Sequence, residues 1–246
     1  ITKMTIREIC HFANIEVPAY MAYIQDVPLT NMAFSKLFMK KGGALLLTST
    51  YSGEPLQDVL KLAREVGVIA IFVTYKQYNE CELRPDLIPC KLPGDIARGI
   101  SNKIRKDLNL KVVGVTGSIG KTTVKDFIYA VVKEHFDAAK CIGNQNTQFP
   151  IFNNMQRLSK STEVFVQEFG INLPGTMPRS VDACVPDIGV ITNIKNPHID
   201  KYGTLENILR EKEKMVKKMP AGSPVILNYN DELLQKWDWE KYKTIW

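Results

Sequence analysis

The residues with the clearest chemical promise run from Val112 to Thr123: Val-Val-Gly-Val-Thr-Gly-Ser-Ile-Gly-Lys-Thr-Thr. An apolar, β-branched run leads into a glycine-containing turn, and Lys-Thr-Thr then opens an amphipathic stretch. That is the order strand, phosphate-binding loop, helix. Gly117 and Gly120 let backbone N–H groups approach phosphate oxygens, and the helix that starts near Lys121 points its positive end at the same anion. Thr116, Ser118, Ile119 and Thr123 complete the cradle. Lys121 brings a mobile charge to the β- and γ-phosphates, and the Thr122 hydroxyl is the expected ligand for Mg²⁺. Val115 stands where the strict pattern has a glycine, so the loop is a variant one. The phosphates of a nucleotide are the expected occupant.

Four more polar groups fall where strands of an α/β sheet should end. They are Gly143-Asn144-Gln145-Asn146-Thr147, the stretch Val166-Gln167-Glu168-Phe169-Gly170-Ile171-Asn172 with Glu168 closing an apolar strand, the stretch Thr192-Asn193-Ile194-Lys195-Asn196-Pro197-His198-Ile199-Asp200, and Asn228-Tyr229-Asn230-Asp231. Taken singly, each has an ordinary explanation. A strand-end Glu is often only a solvated or capping carboxylate, a lone His is more often structural than a ligand, and Asn is a common loop former. Lys212 lies within Arg210-Glu211-Lys212-Glu213-Lys214, a run that reads as a solvated helix face with i,i+4 charge pairs. Trp237, Trp239, His11 and His135 read as packing or structural residues.

The elements that must position these groups follow from periodicity. Thr5 with Glu8 three residues on reads as a capping box for a short first helix. Strands are expected at 44–47 and 68–73, with a helix at 56–66 that Gly67 ends. A helix over 96–108 leads to a boundary near residue 108. Beyond it, helices are expected at 124–136, 152–158 and 205–219, and a helical or irregular piece at 178–185. Strands are expected at 138–142, 163–168, 187–194 and 224–228, with another beginning at 243–246. The near-continuous apolar run at 187–194 marks a strand covered on both faces. The fold class is therefore α/β: a mostly parallel phosphate-loop sheet flanked by helices over 109–246, preceded by a smaller amino-terminal α/β domain over 1–108. Ligands to such a sheet collect at the carboxyl ends of its strands.

Composition narrows the field. Of 246 residues, 45% are hydrophobic and 24% charged, which suits a globular domain or two with a sizeable core. The net charge of +6 is spread along the chain. Without a basic–aromatic cluster it argues for an anionic small molecule rather than nucleic acid. Five cysteines in no metal-binding spacing read as free thiols in a reducing compartment. No apolar stretch reaches membrane-spanning length and no secretion signal is evident, so a cytoplasmic location is expected.

Taken together, these motifs resemble the Mur ligase family, and in particular its members that add a dipeptide to the peptidoglycan precursor. The likeness lies in Thr-Gly-Ser-x-Gly-Lys-Thr-Thr, Gly-Asn-x-Asn, a strand ending in Glu, then Thr-Asn-Ile, His-x-Asp and Tyr-Gly-Thr in that order, over about residues 105–246. The resemblance implies an ATP-dependent amide-forming ligase that works through an acyl phosphate. It implies that Lys121 and the loop bind ATP, that Thr122 and Glu168 hold one Mg²⁺, and that Glu168 and His198 hold or orient a second. Lys212 matches a lysine that the family carries as a carbamate. Asn144 and Asn146 line the substrate carboxylate and phosphate region, Asn193 lies on the strand end beside His198, and Asn230 with Asp231 resembles an element near the nucleotide. The implied partners are small molecules: a carboxylate acceptor, with a UDP-linked peptide as one form, and an amine or dipeptide.

Three departures stand beside the resemblance. Relatives carry an Asp-Ser-Arg element for the uridine, and the matching stretch here reads Leu29-Thr30-Asn31-Met32-Ala33-Phe34-Ser35, with Leu37-Phe38 beyond it. Ile119 replaces a small or polar residue, and Thr147 stands where Asn is common. Relatives also continue past the equivalent of Trp246, so a further carboxyl-terminal domain or partner chain is expected. The alternative is a nucleotide-binding module or partner subunit without ligase chemistry. A small-molecule kinase is a third reading, and the set Glu168, His198, Lys212 argues against it.

Overall fold

A computed structural model describes residues 4–47, 55–91 and 93–246. They divide into two compact units, one ending at Lys103 and the other running Ile104–Trp246. No helix among the described residues is long and apolar enough to cross a membrane.

The first unit holds a four-stranded, all-parallel sheet in the order β1-β2-β3-β4. Its elements are α1 (Ile6–Phe12), β1 (Met32–Ala33), β2 (Ala44–Leu46), α2 (Leu56–Val66), β3 (Ala70–Thr74), α3 (Tyr75–Asn79), β4 (Leu87–Cys90) and the start of α4 (Pro93–Leu108). The capping box is present: Thr5 Oγ1 accepts from Glu8 N, and Glu8 Oε2 accepts from Thr5 N at 3.0 Å. Gly67 ends α2 at φ 84°, the left-handed conformation that glycine adopts without a Cβ penalty. Sequence periodicity passes over β4. Pro89 interrupts its strand pattern, and a proline is tolerated there because β4 is an edge strand.

The second unit carries the candidate site. Its elements are β5 (Lys111–Thr116), α5 (Lys121–Val132), β6 (Ala138–Lys140), α6 (Gln148–Met155), β7 (Val164–Glu168), α7 (Thr176–Ala183), β8 (Ile188–Ile191), α8 (Ile199–Tyr202), α9 (Leu205–Lys217), β9 (Pro224–Leu227), α10 (Glu232–Lys236) and β10 (Lys243–Ile245). The six strands are all parallel, in the order β10-β9-β8-β5-β7-β6. Val113, Val115, Val164, Val166 and Val190 form a buried cluster on this sheet, and Val124, Ile128 and Val132 of α5 pack against it.

Several elements differ from the expected bounds by a few residues, and two of them bear on the site. The helix expected from residue 152 begins at Gln148, because Pro150 sits in its first turn, where the missing N–H has no intrahelical partner to lose. The strand expected to reach residue 194 stops at Ile191, because the chain from Thr192 onward turns to bond the loop after β5.

Candidate functional site

The site grows from the middle of the six-stranded sheet. β5 lies between β7 and β8, and the pairing register sets Val115 opposite Glu168 and Thr116 opposite Ile191. The end of β5 is thereby flanked by the carboxylate closing β7 on one side and by the Thr192–Lys195 turn on the other.

The loop itself needs both of its glycines. Gly117 has φ 146°, and a Cβ there would lie 1.9 Å from Thr192 Oγ1. Gly120 is the N-cap of α5 at φ 79°, and no atom lies within 4 Å of where its Cβ would be. No side chain caps α5, so the N–H groups of its first turn face outward, as an anion site requires.

The turn after β8 clamps this loop. Thr192 Oγ1 donates to Ile119 O at 2.7 Å, and Asn193 accepts from Ile119 N at 3.0 Å and donates to Ile119 O at 2.9 Å. Ser118 Oγ exchanges bonds with Lys195 O at 3.1 Å and Lys195 N at 2.9 Å. Thr116, buried, gives its hydroxyl to Phe169 O at 2.9 Å. Asn193 thus spends its amide on the loop backbone, and Ile119 leaves its own side chain exposed. The turn is held from behind as well: Asn228 Nδ2 donates to Thr192 O at 2.9 Å, and the buried Asp231 accepts from Ile194 N at 2.9 Å while capping α10.

On the opposite flank, Glu168 is 1% exposed and both of its carboxylate oxygens are engaged. Thr122 Oγ1 donates to Oε2 at 2.7 Å and Asn146 Nδ2 donates to Oε1 at 2.8 Å. Lys121 Nζ folds back on Ser118 O at 3.2 Å. Thr123 and Asn144 are exposed nearby in sequence. Lys212 reaches in from α9, only 2% exposed, and donates to Gly117 O at 2.8 Å. Burial, aided by the charge of Lys121, pushes the Lys212 amine down to about 7, with Glu168 and Glu211 opposing. His198, at φ 70°, is exposed; partial desolvation together with Lys201 and Lys212 lowers its pKa, and Asp200 opposes.

The structure therefore joins Thr122, Asn146 and Glu168 in one hydrogen-bonded set and brings Lys212 against the loop. His198 lies in the electrostatic field of Lys212 and Lys121. The charged run on α9 is not a solvated face. Glu211, Lys212 and Glu213 are all buried, Glu211 accepting from Met177 N at 3.0 Å and Glu213 from the Tyr242 hydroxyl at 3.2 Å. Among the described residues no three His, Cys, Asp or Glu gather as a metal cluster. A hydroxyl and a carboxylate 2.7 Å apart beside a phosphate loop nonetheless fit Mg²⁺, which takes few protein ligands and completes its shell with phosphate oxygens and water. Sequence reasoning did not single out Asn154 or Lys125 for the site. For Lys125 a signal existed: a charge on the Val124–Ile128–Val132 stripe, which faces the sheet.

Comparison with known proteins follows the same lines. The family description "Mur ligase middle domain" matches residues 115–245. Over 130 residues, 53% of this chain and 28% of the relative, the sequence is 32% identical to UDP-N-acetylmuramoyl-tripeptide–D-alanyl-D-alanine ligase of Bacillus subtilis (strain 168). The ligase of that name from Rickettsia prowazekii (strain Madrid E) is 26% identical over 211 residues, 86% of this chain and 46% of the relative. Among solved structures, MurF from Acinetobacter baumannii aligns with a TM-score of 0.83 at 16% identity, over 100% of this chain and 53% of that one. MurF ligase from Thermotoga maritima in complex with ADP aligns with a TM-score of 0.75 at 22% identity, over 87% and 49%. At such identities the structural likeness speaks for the fold. The chain spans about half the length of these relatives, or less.

Proposed function

The chain belongs to the Mur ligase family, and from that premise we propose that it is the nucleotide-binding part of an ATP-dependent carboxylate–amine ligase of peptidoglycan precursor synthesis, working in the cytoplasm. One observation carries the reading: the hydrogen-bonded set Thr122–Glu168–Asn146 at the phosphate loop, with buried Lys212 bonded to Gly117 O from the other side. The Thermotoga maritima relative was solved with ADP, which supports a nucleotide at this loop.

In this reading the ATP phosphates lie against the N–H groups of residues 117–123 at the start of α5, and Lys121 draws charge from the β- and γ-phosphates. Thr122 and Glu168 hold Mg²⁺, and His198 helps hold or orient a second ion; bound there, the metal neutralises phosphate charge. The γ-phosphoryl group passes to a substrate carboxylate oxygen, giving an acyl phosphate and ADP. The amine then attacks the acyl carbon, the phosphate leaves, and a proton is lost as the amide forms. Asn144 lines the carboxylate and phosphate region. A Lys212 amine brought down to about 7 is neutral often enough to add carbon dioxide, its nitrogen bonding the carbon and releasing one proton to solvent. The carbamate so formed would place an anion opposite Lys121. The first substrate pair to test is that in the relatives' name, UDP-N-acetylmuramoyl-tripeptide with D-alanyl-D-alanine.

The test on this chain is calorimetric titration with ADP, with Mg²⁺ and in EDTA. Wild type should bind more tightly with Mg²⁺, and Glu168→Gln should remove that gain while leaving metal-free binding in place. A Glu168→Gln chain with undiminished Mg²⁺ dependence refutes the assignment. For the whole protein, phosphate release should require both carboxylate and amine. A second reading, a nucleotide-binding module without ligase chemistry, draws on the stretch Leu29–Ser35, which lacks Asp-Ser-Arg. ADP binding sensitive to Lys121→Ala, without turnover of any carboxylate–amine pair by the whole protein, would favour it.

A further inference from the structure

Lys125 lies one turn beyond Lys121 on α5 and is 1% exposed. Val124, Ile128, Tyr129 and Val132 of the same helix pack against the apolar face of the sheet, and an aliphatic side chain at 125 would avoid the cost of burying an ammonium. The ammonium instead binds backbone. Nζ donates to Gly143 O at 2.9 Å and reaches Cys141 O at 3.5 Å, with Asp126 Oδ1 at 3.4 Å. These carbonyls belong to the segment 141–146 that leaves β6.

Two other buried side chains hold the same segment. Asn154 of α6 accepts from Ile142 N at 3.2 Å and donates to Gln145 Oε1 at 3.0 Å. Gln167 of β7 donates to Gln145 O at 3.0 Å. The segment ends at Asn146, whose carbonyl accepts from Gly170 N at 2.9 Å and whose side chain donates to Glu168 Oε1 at 2.8 Å. A Cβ on Gly170 would lie 2.4 Å from Asn146 Oδ1, so the amide is seated tightly. Three buried polar groups from three elements thus fix one loop, and that loop delivers one amide to one carboxylate.

We infer that Lys125 is a positioning residue: through segment 141–146 and Asn146 it sets the orientation of Glu168, and so the affinity for Mg²⁺ with nucleotide. The inference rests on the reading of Glu168 as a metal ligand. With the Asn146 bond loosened, the carboxylate keeps only Thr122 as a fixed partner and can rotate away from the ion.

The test titrates ADP into the full 246-residue chain at graded Mg²⁺ and in EDTA. Lys125→Met should keep metal-free ADP affinity and lose the Mg²⁺ enhancement by about tenfold, the scale of one hydrogen bond to a charged group. Asn146→Ala should do the same. The double variant should lose no more than Asn146→Ala alone, because both act through one contact. Mg²⁺ enhancement in Lys125→Met within about twofold of wild type, or losses that multiply in the double variant, overturns the inference. So does an equal fall in metal-free affinity, which a merely structural role would produce. Wild type that binds ADP equally with and without Mg²⁺ overturns the metal-ligand reading itself, and the inference with it. Should Lys125→Met fail to melt cooperatively, Asn154→Leu carries the same expectations from the other side of the segment.

Discussion

Gly117→Ala is the sharpest single probe of how the phosphate loop is built. At φ 146° an L-residue is strained, and the new Cβ would lie 1.9 Å from Thr192 Oγ1 and 3.1 Å from Thr192 N. The hydroxyl can turn away, but it then gives up its bond to Ile119 O at 2.7 Å. The backbone nitrogen cannot turn away, since Thr192 N donates to Thr116 O at 2.9 Å. The backbone term is about 1–3 kcal/mol and the lost hydrogen bond about 1 kcal/mol, so the variant should lose about 2–4 kcal/mol of stability. Urea unfolding monitored by circular dichroism measures the loss, and ADP titration should show the loop's affinity falling with it. Adding Thr192→Ala removes the clashing hydroxyl and should restore part of the stability, while the φ strain remains. If Gly117→Ala unfolds at the wild-type urea midpoint and binds ADP as wild type does, the close approach of Gly117 to Thr192 is not what shapes the loop.

Other perturbations follow from the same geometry. Lys212, brought down to about 7 from 10.5, is protonated below pH 7 in both folded and unfolded chains, and there the cost of its burial is fully felt. Between about pH 7 and 10 the folded chain holds fewer protons than the unfolded one, so stability of the unmodified chain should rise with pH. Lys212→Met should flatten that rise in urea midpoints taken across the range, and an unchanged slope would remove Lys212 as its source. Asp231→Ala removes the cap on Leu233 N and Leu234 N and leaves the buried Ile194 N without its acceptor. The loss should be about 2–4 kcal/mol by urea unfolding, and one below about 0.5 kcal/mol would mean that the β9–α10 turn does not brace the loop.

The α/β alternation, the phosphate loop and the strand-end carboxylate could be read from sequence because each has a local signature: β-branched runs, glycines before Lys-Thr-Thr, an apolar strand closing on Glu168. What could not be read was which polar side chains turn inward. Glu211, Lys212 and Glu213 form part of a run whose charge pairing looks solvent-facing, yet α9 lies so that all three are buried and bonded to α7, the phosphate loop and Tyr242. Periodicity places side chains on a face. It does not say that the face meets unpaired N–H and C=O groups at the ends of other elements. Asn193 was legible as a site residue, but its engagement by both the N–H and the C=O of Ile119 was not, since that depends on where β8 stops.

The convergence of the site has one further origin that no motif records. Glu168 meets Thr122 because β7 pairs with β5 in the register Val115↔Glu168, and Thr192 meets Gly117 because β8 pairs in the register Thr116↔Ile191. A slip of one residue in the first pairing would send the Glu168 side chain to the opposite face of the sheet, where Gln167 now points, and bring Gln167 to the loop. What opposes that slip is the packing of Val113, Val115, Val164, Val166 and Val190 beneath α5. These valines touch no substrate, yet they hold the carboxylate, the hydroxyl and the glycine at one height. The helix they pack against is the one whose first turn carries Lys121 and Thr122. The same apolar contacts that stabilise the sheet therefore fix the spacing of the chemistry at its edge, and volume changes at Val115 or Val166 should register in Mg²⁺-dependent nucleotide binding as well as in stability.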